Sequence, residues 1–338
     1  MHVVITGGAG FLGAALARRI LAADSLRPGG RASARVGRVT LLDKAAPPDD
    51  LALDDRVHSV VGDISDLFAG SRSRDILDAA EVVFHLAAAV SGECEADFDV
   101  GMKANIVAGV AVLDGCRRAG STPTLVFASS LAVFGGWPDL PLPTVVTDTT
   151  LPTPRTSYGV QKFVIEQLVA DYTRKGYIAG RSVRLNTVCV RPGRANAAAS
   201  GFLSAIIREP LAGQRAVCPV PGETLVALSS PERTLEGLLR AAEASAAEWG
   251  APTAINLPGI QVSVDHMVEA LARVAGPAAP GLIDWVPDPG IAAMVASWPS
   301  AVDAPRARTL GLEADDDFES VVRRYARDFA NPATSAEN

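Results

Sequence analysis

Tyr158 and Lys162 are the two residues of this sequence whose types and spacing best suit proton-transfer chemistry. On a helix, side chains four residues apart lie on one face, so the spacing predicts an ammonium group beside a phenol. A neighbouring positive charge favours the phenolate and lowers the pKa of a tyrosine below its usual value of about 10. Such a pair could take a proton from an alcohol near neutral pH, although Tyr-x-x-x-Lys also occurs by chance on amphipathic helices.

The residues around this pair predict the helix that it requires. Pro152 and Pro154 keep the preceding segment extended, and Thr156 or Ser157 can cap the first turn. An apolar stripe then follows at helical spacing, and Gly176 ends the run. The stripe consists of Val160, Phe163, Val164, Leu168 and Tyr172.

A glycine-rich turn near the N-terminus has the features of a dinucleotide-binding site. Residues 2–6 are predicted to form a strand, and a helical pattern follows the glycines. Glycine lets the backbone approach a pyrophosphate, and the N-terminus of a helix offers free N–H groups and a partial positive charge. An ordinary glycine-rich turn is the alternative interpretation. The turn contains Gly7, Gly8, Gly10, Phe11, Leu12 and Gly13.

Asp43, at the end of the second predicted strand, is the candidate for selecting the form of the cofactor. A carboxylate there accepts hydrogen bonds from an adenosine ribose and repels a 2'-phosphate, which favours NAD over NADP. Its distance from the glycines exceeds the usual spacing of about 20 residues. Residues 25–38, which we interpret as an exposed insertion loop of undetermined role, account for the excess. Lys44 follows directly and weakens the preference for NAD slightly.

The third and fourth predicted strands lead into residues that could contact the same ligand. The third, residues 57–61, is followed by Gly62, Asp63 and Ile64, and the fourth covers residues 82–86. Three alanines, 87–89, follow the fourth strand. Small residues at a strand end let a flat cofactor lie against the backbone, although tight packing would also explain them.

The fifth predicted strand, residues 125–128, ends in Ser129 and Ser130. A hydroxyl group at the carboxyl end of a parallel strand can polarise a substrate oxygen, but serines there commonly serve only the turn. A helix over residues 98–119 is predicted before this strand and carries Asn105. The Asn105 amide could orient groups near the site, although the helical pattern alone favours a solvent-facing side chain.

The order of these elements predicts an α/β protein with a doubly wound parallel sheet. A sixth strand over residues 181–188 continues the alternation of strands and helices. We therefore expect a Rossmann-type sheet followed by a smaller C-terminal α/β substrate domain.

The amino-acid composition changes after residue 192, which suggests a domain boundary. Residues 1–192 are interpreted as the NAD-binding domain and 193–338 mainly as the substrate-binding domain. Within the second part, 193–223 and 258–330 are expected to cover the substrate, and 224–257 to return to the first sheet. The chain is expected to fray from about residue 331.

Composition and charge exclude several classes of function. The chain of 338 residues has a formal net charge of -7 and no basic cluster, which argues against nucleic acid or an anionic membrane as a partner. No signal peptide is recognisable, and the uncharged run over 119–138 is interrupted by prolines and glycines. We therefore expect a cytoplasmic protein with no membrane span.

The cysteines and histidines show no spacing of a metal or redox site, so we expect no metal. The cysteines are Cys94, Cys116, Cys189 and Cys218, and the histidines are His2, His58, His85 and His266.

Taken together, these motifs resemble those of the extended short-chain dehydrogenases/reductases. The resemblance covers the first two hundred residues, and each motif falls on its expected element. The matching residues are 6–13, 62–64, 85–88, Asn105, 129–135, 157–162 and 191–193. A narrower resemblance, to members of the family that oxidise sugar acids, includes residues 90–93, 133–136, 191–202, 207–213 and 216–221.

The resemblance implies a role for each matching residue. Tyr158 would be the general base, and Lys162 would bind the nicotinamide ribose and lower the tyrosine pKa. Ser130 would hold the reacting hydroxyl group; it is preferred over Ser129 because the family's hydroxyl lies three residues before the position of Val133. The residues expected to bind NAD are Gly7, Gly10, Phe11, Leu12, Gly13, Asp43, Asp63, Ile64, Leu86, Ala87, Ala88, Asn105, Tyr158 and Lys162. The family often forms homodimers through the helices that carry Asn105 and Tyr158.

The function that the resemblance implies is NAD-dependent oxidation of a sugar acid at its C2 hydroxyl group. The candidates for binding the substrate, besides Ser130, are Ser91, Asn186, Thr187 and Arg233, each of which could equally be structural. Arg191 is a further candidate, but its place before a proline makes a backbone-positioning role comparable. Two alternatives remain open: a nucleotide-sugar 4-epimerase that reoxidises its cofactor in each turnover, and a protein that senses NAD without catalysis.

Overall fold

A seven-stranded parallel sheet forms the centre of the larger domain in this computed structural model, which describes residues 1–69, 72–193 and 198–330. The strands are β1 (His2–Thr6), β2 (Ser25–Leu26), β3 (Ala34–Arg35), β4 (Arg38–Asp43), β5 (Val57–Val61), β6 (Ala80–His85), β7 (Thr124–Ser130), β8 (Ala179–Leu185), β9 (Thr187–Val188), β10 (Ala216–Cys218), β11 (Leu225–Ser229), β12 (Ile255–Asn256), β13 (Ile260–Ser263) and β14 (Ile283–Trp285). Residues 194–197, within the narrower resemblance, and 331–338, expected to fray, lie outside the described residues.

Helices connect these strands and cover both faces of the sheet. They are α1 (Phe11–Ala23), α2 (Asp49–Ala52), α3 (Ile64–Leu67), α4 (Arg72–Leu77), α5 (Ser91–Ala96), α6 (Phe98–Gly101), α7 (Ala108–Ala119), α8 (Ser157–Arg174), α9 (Gly201–Leu211), α10 (Pro231–Glu243), α11 (Ala246–Trp249), α12 (Val264–Ala275), α13 (Pro289–Ala296), α14 (Pro305–Thr309) and α15 (Phe318–Tyr325). Short 3-10 turns cover Pro28–Gly30, Leu131–Val133 and Ala279–Leu282, and π-helical segments cover Met102–Val107 and Ala326–Ala330.

The strand order of the large sheet is β12-β8-β7-β6-β1-β4-β5. Strand β1 pairs in parallel with β4 on one side and with β6 on the other, so the order of strands reverses at β1. In such a sheet the crevice at this reversal, beyond the carboxyl ends of the strands, is where ligands bind. The predicted Rossmann-type sheet is confirmed.

Two apolar layers hold the helices against this sheet. On one face α1 and α10 pack through residues such as Leu16, Ile20 and Leu238, which are fully buried. On the other face α3, α4, α7 and α8 pack through residues such as Leu113 and Ile165. Each fully buried side chain of this size stabilises the fold by about 1.5–3 kcal/mol relative to its exposed state.

A separate apolar cluster forms the core of the smaller C-terminal domain. Its buried residues come from α9, α12 and α15 and from the strands between them, and they begin at Cys189 and end at Tyr325. Strands β13, β11 and β9 form one small sheet, and β10 pairs in parallel with β14. This domain lies against the carboxyl edge of the large sheet.

Strand β11 differs from the sequence-based expectation that residues 224–257 return together to the first sheet. Helix α10 packs on β7 and β8, and β12 pairs with β8, as expected. Strand β11 instead pairs with β9 and β13 in the smaller domain. The chain returns from the smaller domain to the large sheet only at Ser230, whose side chain caps α10. In the opposite direction, Ala304, Ala307 and Leu310 of the expected substrate domain pack in the first core.

Residues 25–38 form more structure than the exposed loop that the sequence predicts. Strands β2 and β3 pair as a hairpin, and the turn Pro28–Gly30 lies against α10. Leu26 and Val36 are buried in the first core, which anchors an otherwise polar insertion. The hairpin follows Asp24, which ends α1 in a left-handed conformation.

Helix α8 presents a face that the apolar stripe in the sequence does not predict. Thr156 caps the helix by accepting a hydrogen bond from the Gly159 N–H at 3.1 Å. Its buried face carries Lys162 and Glu166, whereas Val160 of the stripe is 46% exposed. Polar side chains therefore occupy the protein side of this helix, and part of its apolar surface faces outward.

Candidate active site

A cavity of about 570 Å³ lies where the carboxyl edge of the large sheet meets the smaller domain. Most of the residues that the sequence predicts to bind cofactor or substrate line it. They are Gly7, Gly10, Phe11, Leu12, Gly13, Asp43, Asp63, Ile64, Leu86, Ala87, Ala88, Ser91, Ser130, Tyr158, Lys162, Asn186 and Thr187. Asn105 and Arg233 do not line it. The smaller domain adds Val295, Trp298 and Pro299, for which the local sequence gave no signal.

The glycine turn after β1 is shaped so that side chains would not fit. Gly7 has a φ of +73°, and a Cβ atom there would lie 2.9 Å from the Ala87 nitrogen. A Cβ atom on Gly13 would lie 2.0 Å from the Gly7 carbonyl oxygen. The turn leads directly into the 13-residue helix α1, whose first residues line this end of the cavity and whose first N–H groups have no partner within the helix. These residues fit the pyrophosphate of a dinucleotide.

Asp43 and its neighbours form the polar end of the same cavity. The Asp43 carboxylate accepts a hydrogen bond from the Ala9 N–H at 3.0 Å, so it is held against the glycine turn. The Lys44 and Lys103 ammonium groups lie 3.2 Å and 3.4 Å from the Asp63 carboxylate. Ser65 and Lys44 both hold the pKa of Asp63 below its usual range. Because the Lys44 ammonium group is paired with Asp63, the positive charge of Lys44 is not free to attract a 2'-phosphate.

Ser130 and Tyr158 are brought together by the close packing of α8 on the turn after β7. A Cβ atom on Gly159 would lie 2.0 Å from the Ala132 carbonyl oxygen, so only glycine lets α8 begin this close. The Ser130 hydroxyl group lies close enough to Tyr158 to lower its pKa by hydrogen bonding. It also accepts a hydrogen bond from the Ala132 N–H at 3.1 Å. A substrate hydroxyl group in the cavity could contact both side chains.

Lys162 lies one helical turn below Tyr158 and is 3% exposed. Its ammonium group donates a hydrogen bond to the Ala128 carbonyl at 2.8 Å and lies 5.5 Å from the centre of the Tyr158 ring. Burial lowers the pKa of Lys162 to about 8, against the opposing charges of Cys94 and Glu166. The ammonium group is therefore held by the sheet rather than by the phenol oxygen.

The pKa of Tyr158 differs from the sequence-based expectation that Lys162 lowers it. Burial raises the pKa of Tyr158 to about 12, and the hydrogen bond from Ser130 and the charge of Arg191 only partly oppose this effect. The local sequence places a cation beside the phenol but does not show how deeply the ring is buried. In the structure desolvation is the larger effect.

Beneath Lys162, a buried ion pair ties α8 to the sheet. Glu166 accepts hydrogen bonds from Arg184 at 2.8 Å and from the Ser129 hydroxyl group. Since Ser129 is bonded to Glu166, the two adjacent serines have different partners. The local sequence gives no signal for this ion pair beyond the position of Glu166 one helical turn after Lys162.

Asn105 is buried behind the cavity, which corrects the expectation of a solvent-facing side chain. Its Oδ1 accepts a hydrogen bond from the Ala89 N–H at 2.8 Å, and its Nδ2 donates to the Ala89 carbonyl at 3.2 Å. The Nδ2 group also donates to Gln161 on α8 at 2.7 Å. Asn105 thus joins the alanine loop after β6 to the helix that carries Tyr158. It supports the expected cofactor-contacting residues and does not reach the cavity itself.

The candidate substrate-binding residues have unequal access to the cavity. The Ser91 hydroxyl group accepts a hydrogen bond from the Ala199 N–H at 3.1 Å. Asn186 donates to the Leu257 and Pro258 carbonyls, so its donor hydrogens are used, and Thr187 begins β9. Arg233 lies in the first turn of α10, outside the cavity, and pairs with Glu236 at 2.9 Å. Because that ion pair compensates its charge, Arg233 is poorly placed for a substrate carboxylate.

No cluster of three or more possible metal ligands occurs in residues 1–69, 72–193 and 198–330. The four cysteines are buried and unpaired. Within the same ranges, no helix combines the length and the apolar character needed to cross a membrane.

Comparison with known proteins places this geometry in a family. The model of the NAD-dependent epimerase/dehydratase family matches residues 3–232. D-Erythronate dehydrogenase of Cupriavidus necator is 46% identical over 97% of this chain and 98% of its own length. The protein of the same name from Haemophilus influenzae is 38% identical over 96% and 98%.

A solved structure extends the comparison to the whole fold. The nucleoside-diphosphate-sugar epimerase from Agrobacterium tumefaciens is 39% identical, with a TM-score of 0.87 over 97% of this chain and 94% of its own. The sheet, the glycine turn and the cavity described above agree with these matches. The chain belongs to the NAD-dependent epimerase/dehydratase family, within the extended short-chain dehydrogenases/reductases, and is an NAD-dependent oxidoreductase.

Proposed function

We propose that the protein oxidises D-erythronate at its C2 hydroxyl group to 2-oxo-D-erythronate, with reduction of NAD to NADH. The observation that carries this proposal is the similarity to two proteins named D-erythronate dehydrogenase, which extends through the substrate domain as well as the cofactor domain. The cavity supports it because one space adjoins both the glycine turn and the hydroxyl groups of Ser130 and Tyr158.

In the proposed reaction the phenolate form of Tyr158, which the cations near it favour, takes the proton of the C2 hydroxyl group while the hydrogen on C2 leaves with its electron pair. The alcohol loses two electrons with this hydride and a C–O double bond forms, so NAD is the only oxidant that the balance requires. NAD, when bound, supplies the hydride acceptor and a positively charged nicotinamide ring. Ser130 holds the reacting oxygen, and Lys162 binds the nicotinamide ribose and keeps a cation near Tyr158.

Replacing Tyr158 with phenylalanine tests the role of its hydroxyl group. We expect Tyr158→Phe to lower kcat by about 1,000-fold, because a positioned general base contributes a factor of this order. NAD affinity should stay unchanged, since the ring itself is kept. NADH absorbance with D-erythronate measures the rate, and protein fluorescence measures NAD binding. Tyr172→Phe, on the same helix but packed against Tyr177, is the matched control.

The results of this assay test the base, the substrate and the presence of catalysis separately. A Tyr158→Phe variant as fast as the wild type would exclude Tyr158 as the base. NADH formation with other 2-hydroxy acids but not with D-erythronate would make the substrate assignment wrong and leave the reaction class standing. NAD binding with no turnover of any sugar acid would instead favour the cofactor-sensing alternative.

A nucleotide-sugar epimerase is the second candidate, because the similar structure from Agrobacterium tumefaciens is named as one. An epimerase returns the hydride to its substrate, so its turnover releases no NADH. Incubation with UDP-glucose, followed by analysis of the sugar, tests this candidate directly. Conversion to the C4 epimer without NADH release would overturn the dehydrogenase proposal.

A further inference from the structure

Arg191 places a positive charge in the cavity that the described protein does not neutralise. It lines the cavity and is close enough to Tyr158 to affect its ionisation. The titratable groups that act on it are Cys189, Arg208 and Tyr158, and no Asp or Glu of residues 1–69, 72–193 and 198–330 pairs with it. The adjoining residues 194–197, Arg-Ala-Asn-Ala, contain no acidic side chain.

The backbone of Arg191 already accounts for its structural role. Its N–H donates to the Ser204 hydroxyl group at 3.0 Å, and its carbonyl accepts a hydrogen bond from Arg208 at 2.8 Å. Any residue type except proline would provide these two groups. These backbone hydrogen bonds therefore do not explain why residue 191 is an arginine. Its side chain must have a separate role.

The guanidinium group of Arg191 is half-buried, and no acidic side chain of the described residues compensates its charge. Moving a charge out of water is costly unless an opposite charge or hydrogen bonds compensate it. The neighbouring cation, Arg208, is compensated by Glu209 at 2.6 Å. Among the described residues no acidic side chain pairs with Arg191, and its planar fork of donors matches a carboxylate in two parallel hydrogen bonds.

We infer that the Arg191 guanidinium binds the carboxylate of the substrate, and that the site is built for a short 2-hydroxy acid. This inference rests on the oxidation proposed above. In a 2-hydroxy acid the carboxylate is attached to the carbon that reacts, so its binding group must line the same cavity as Tyr158, as Arg191 does. In the substrate of a 4-epimerase the charged diphosphate lies at the opposite side of the sugar ring from the reacting carbon.

Substitution of Arg191 should change substrate binding more than the chemical step. We expect Arg191→Gln to raise the KM for D-erythronate by about 100-fold, since removing one partner of a desolvated charge pair has an effect of this order. The value of kcat should fall much less, NAD affinity should be unchanged, and Arg191→Lys should recover part of the loss. Arg215→Gln is the matched control, because Arg215 is exposed and pairs with Asp284.

A measurement on the wild type does not depend on the folding of any variant. The wild type should prefer D-erythronate over D-erythronamide, which lacks the negative charge, by about 100-fold in kcat/KM, and Arg191→Gln should lose this preference. Equal use of acid and amide by the wild type would overturn the inference, as would an Arg191→Gln variant with unchanged KM.

Calorimetric titration separates the failure of this inference from the failure of the proposed function. D-Erythronate is titrated into NAD-saturated Tyr158→Phe protein with and without Arg191→Gln, so that no turnover is required. Loss of binding in the double variant supports the inference even if the wild type forms no NADH. Equal binding in both proteins overturns it, whereas a wild type that forms no NADH overturns only the proposed reaction.

Discussion

Lys162 carries its charge at a position where an apolar side chain would be more stable. Burial lowers its pKa from the ordinary 10.5 to about 8, and among the described residues the ammonium group donates a hydrogen bond only to the Ala128 carbonyl. A difference of this size corresponds to about 3 kcal/mol of unfavourable free energy for the charged form. The residue proposed to bind the cofactor ribose therefore weakens the fold that holds it.

Stability measurements at different pH values should reveal this effect. Below pH 8 the lysine is protonated in both states; between pH 8 and 10.5 only the unfolded chain keeps the proton. The free energy of unfolding of the wild type should therefore rise with pH relative to that of Lys162→Met. We expect Lys162→Met to be more stable near pH 7, and this advantage to shrink by at most about 3 kcal/mol by about pH 10.

Urea denaturation of both proteins at a series of pH values measures this difference. Lys175→Met, an exposed lysine at the end of α8, serves as the control and should show no such trend. A stability difference between Lys162→Met and the wild type that does not vary with pH would show that the Lys162 pKa is not lowered.

At the scale of elements, Asn105 connects the loop after β6 with α8. It lies in the π-helical segment Met102–Val107, where the wider turn places it among α5, α8 and the alanine loop. Loss of its amide would leave the Ala89 N–H and carbonyl groups without their buried partner. The alanine loop lines the cavity, so its disorder would reach the cofactor side.

We expect Asn105→Ala to lower the free energy of unfolding by about 2–4 kcal/mol, because each buried polar group left unpaired costs about 1–3 kcal/mol. NAD affinity should also fall. Thermal unfolding and fluorescence titration with NAD measure the two effects. Gln167→Ala removes an exposed amide from α8 and should change neither quantity. A fully stable Asn105→Ala protein would mean that the loop is held by other contacts.

The elements that the sequence predicted best are those set by local pattern. The glycine turn, strand β1, strands β4 to β8 and the start of α8 follow from periodicity and from residues with restricted conformations. Strand β11 was predicted to join the large sheet, because its apolar run could belong to either sheet. The sequence does not show that the chain returns to the large sheet only at Ser230. The raised pKa of Tyr158 and the burial of Asn105 depend on distant residues that no local pattern contains.

At the scale of the whole molecule, an apolar face on α6, α7 and α8 has no partner in the described chain. Phe98 on α6 is 61% exposed, Val107 at the end of the π-helical segment is exposed, and so are Val110 on α7 and Val160 and Val164 on α8. A contiguous apolar patch of this kind marks an interaction site in a soluble protein. We propose that two copies of the chain pair through this face, with the helices that carry Asn105 and Tyr158 at the interface.

A single charge on this face should disrupt the dimer. We expect Val107→Glu to convert the wild-type dimer into monomers, because burial of an unpaired carboxylate at an apolar interface is costly. Light scattering after size-exclusion chromatography measures the mass. Val217→Glu, on an exposed apolar residue of the smaller domain, should leave the mass unchanged. A monomeric wild type at micromolar concentration would rule out the dimer.

The separation of the cores has an evolutionary consequence. The apolar cluster from Cys189 to Tyr325 supports the wall of the cavity that faces the substrate, while two other clusters support the glycine turn and α8. Mutations that reshape the cavity wall facing the substrate therefore change mainly the packing of this cluster. They leave the packing of the two clusters in the cofactor half unchanged. A lineage with this architecture can change the alcohol that it accepts while inheriting its hydride chemistry intact.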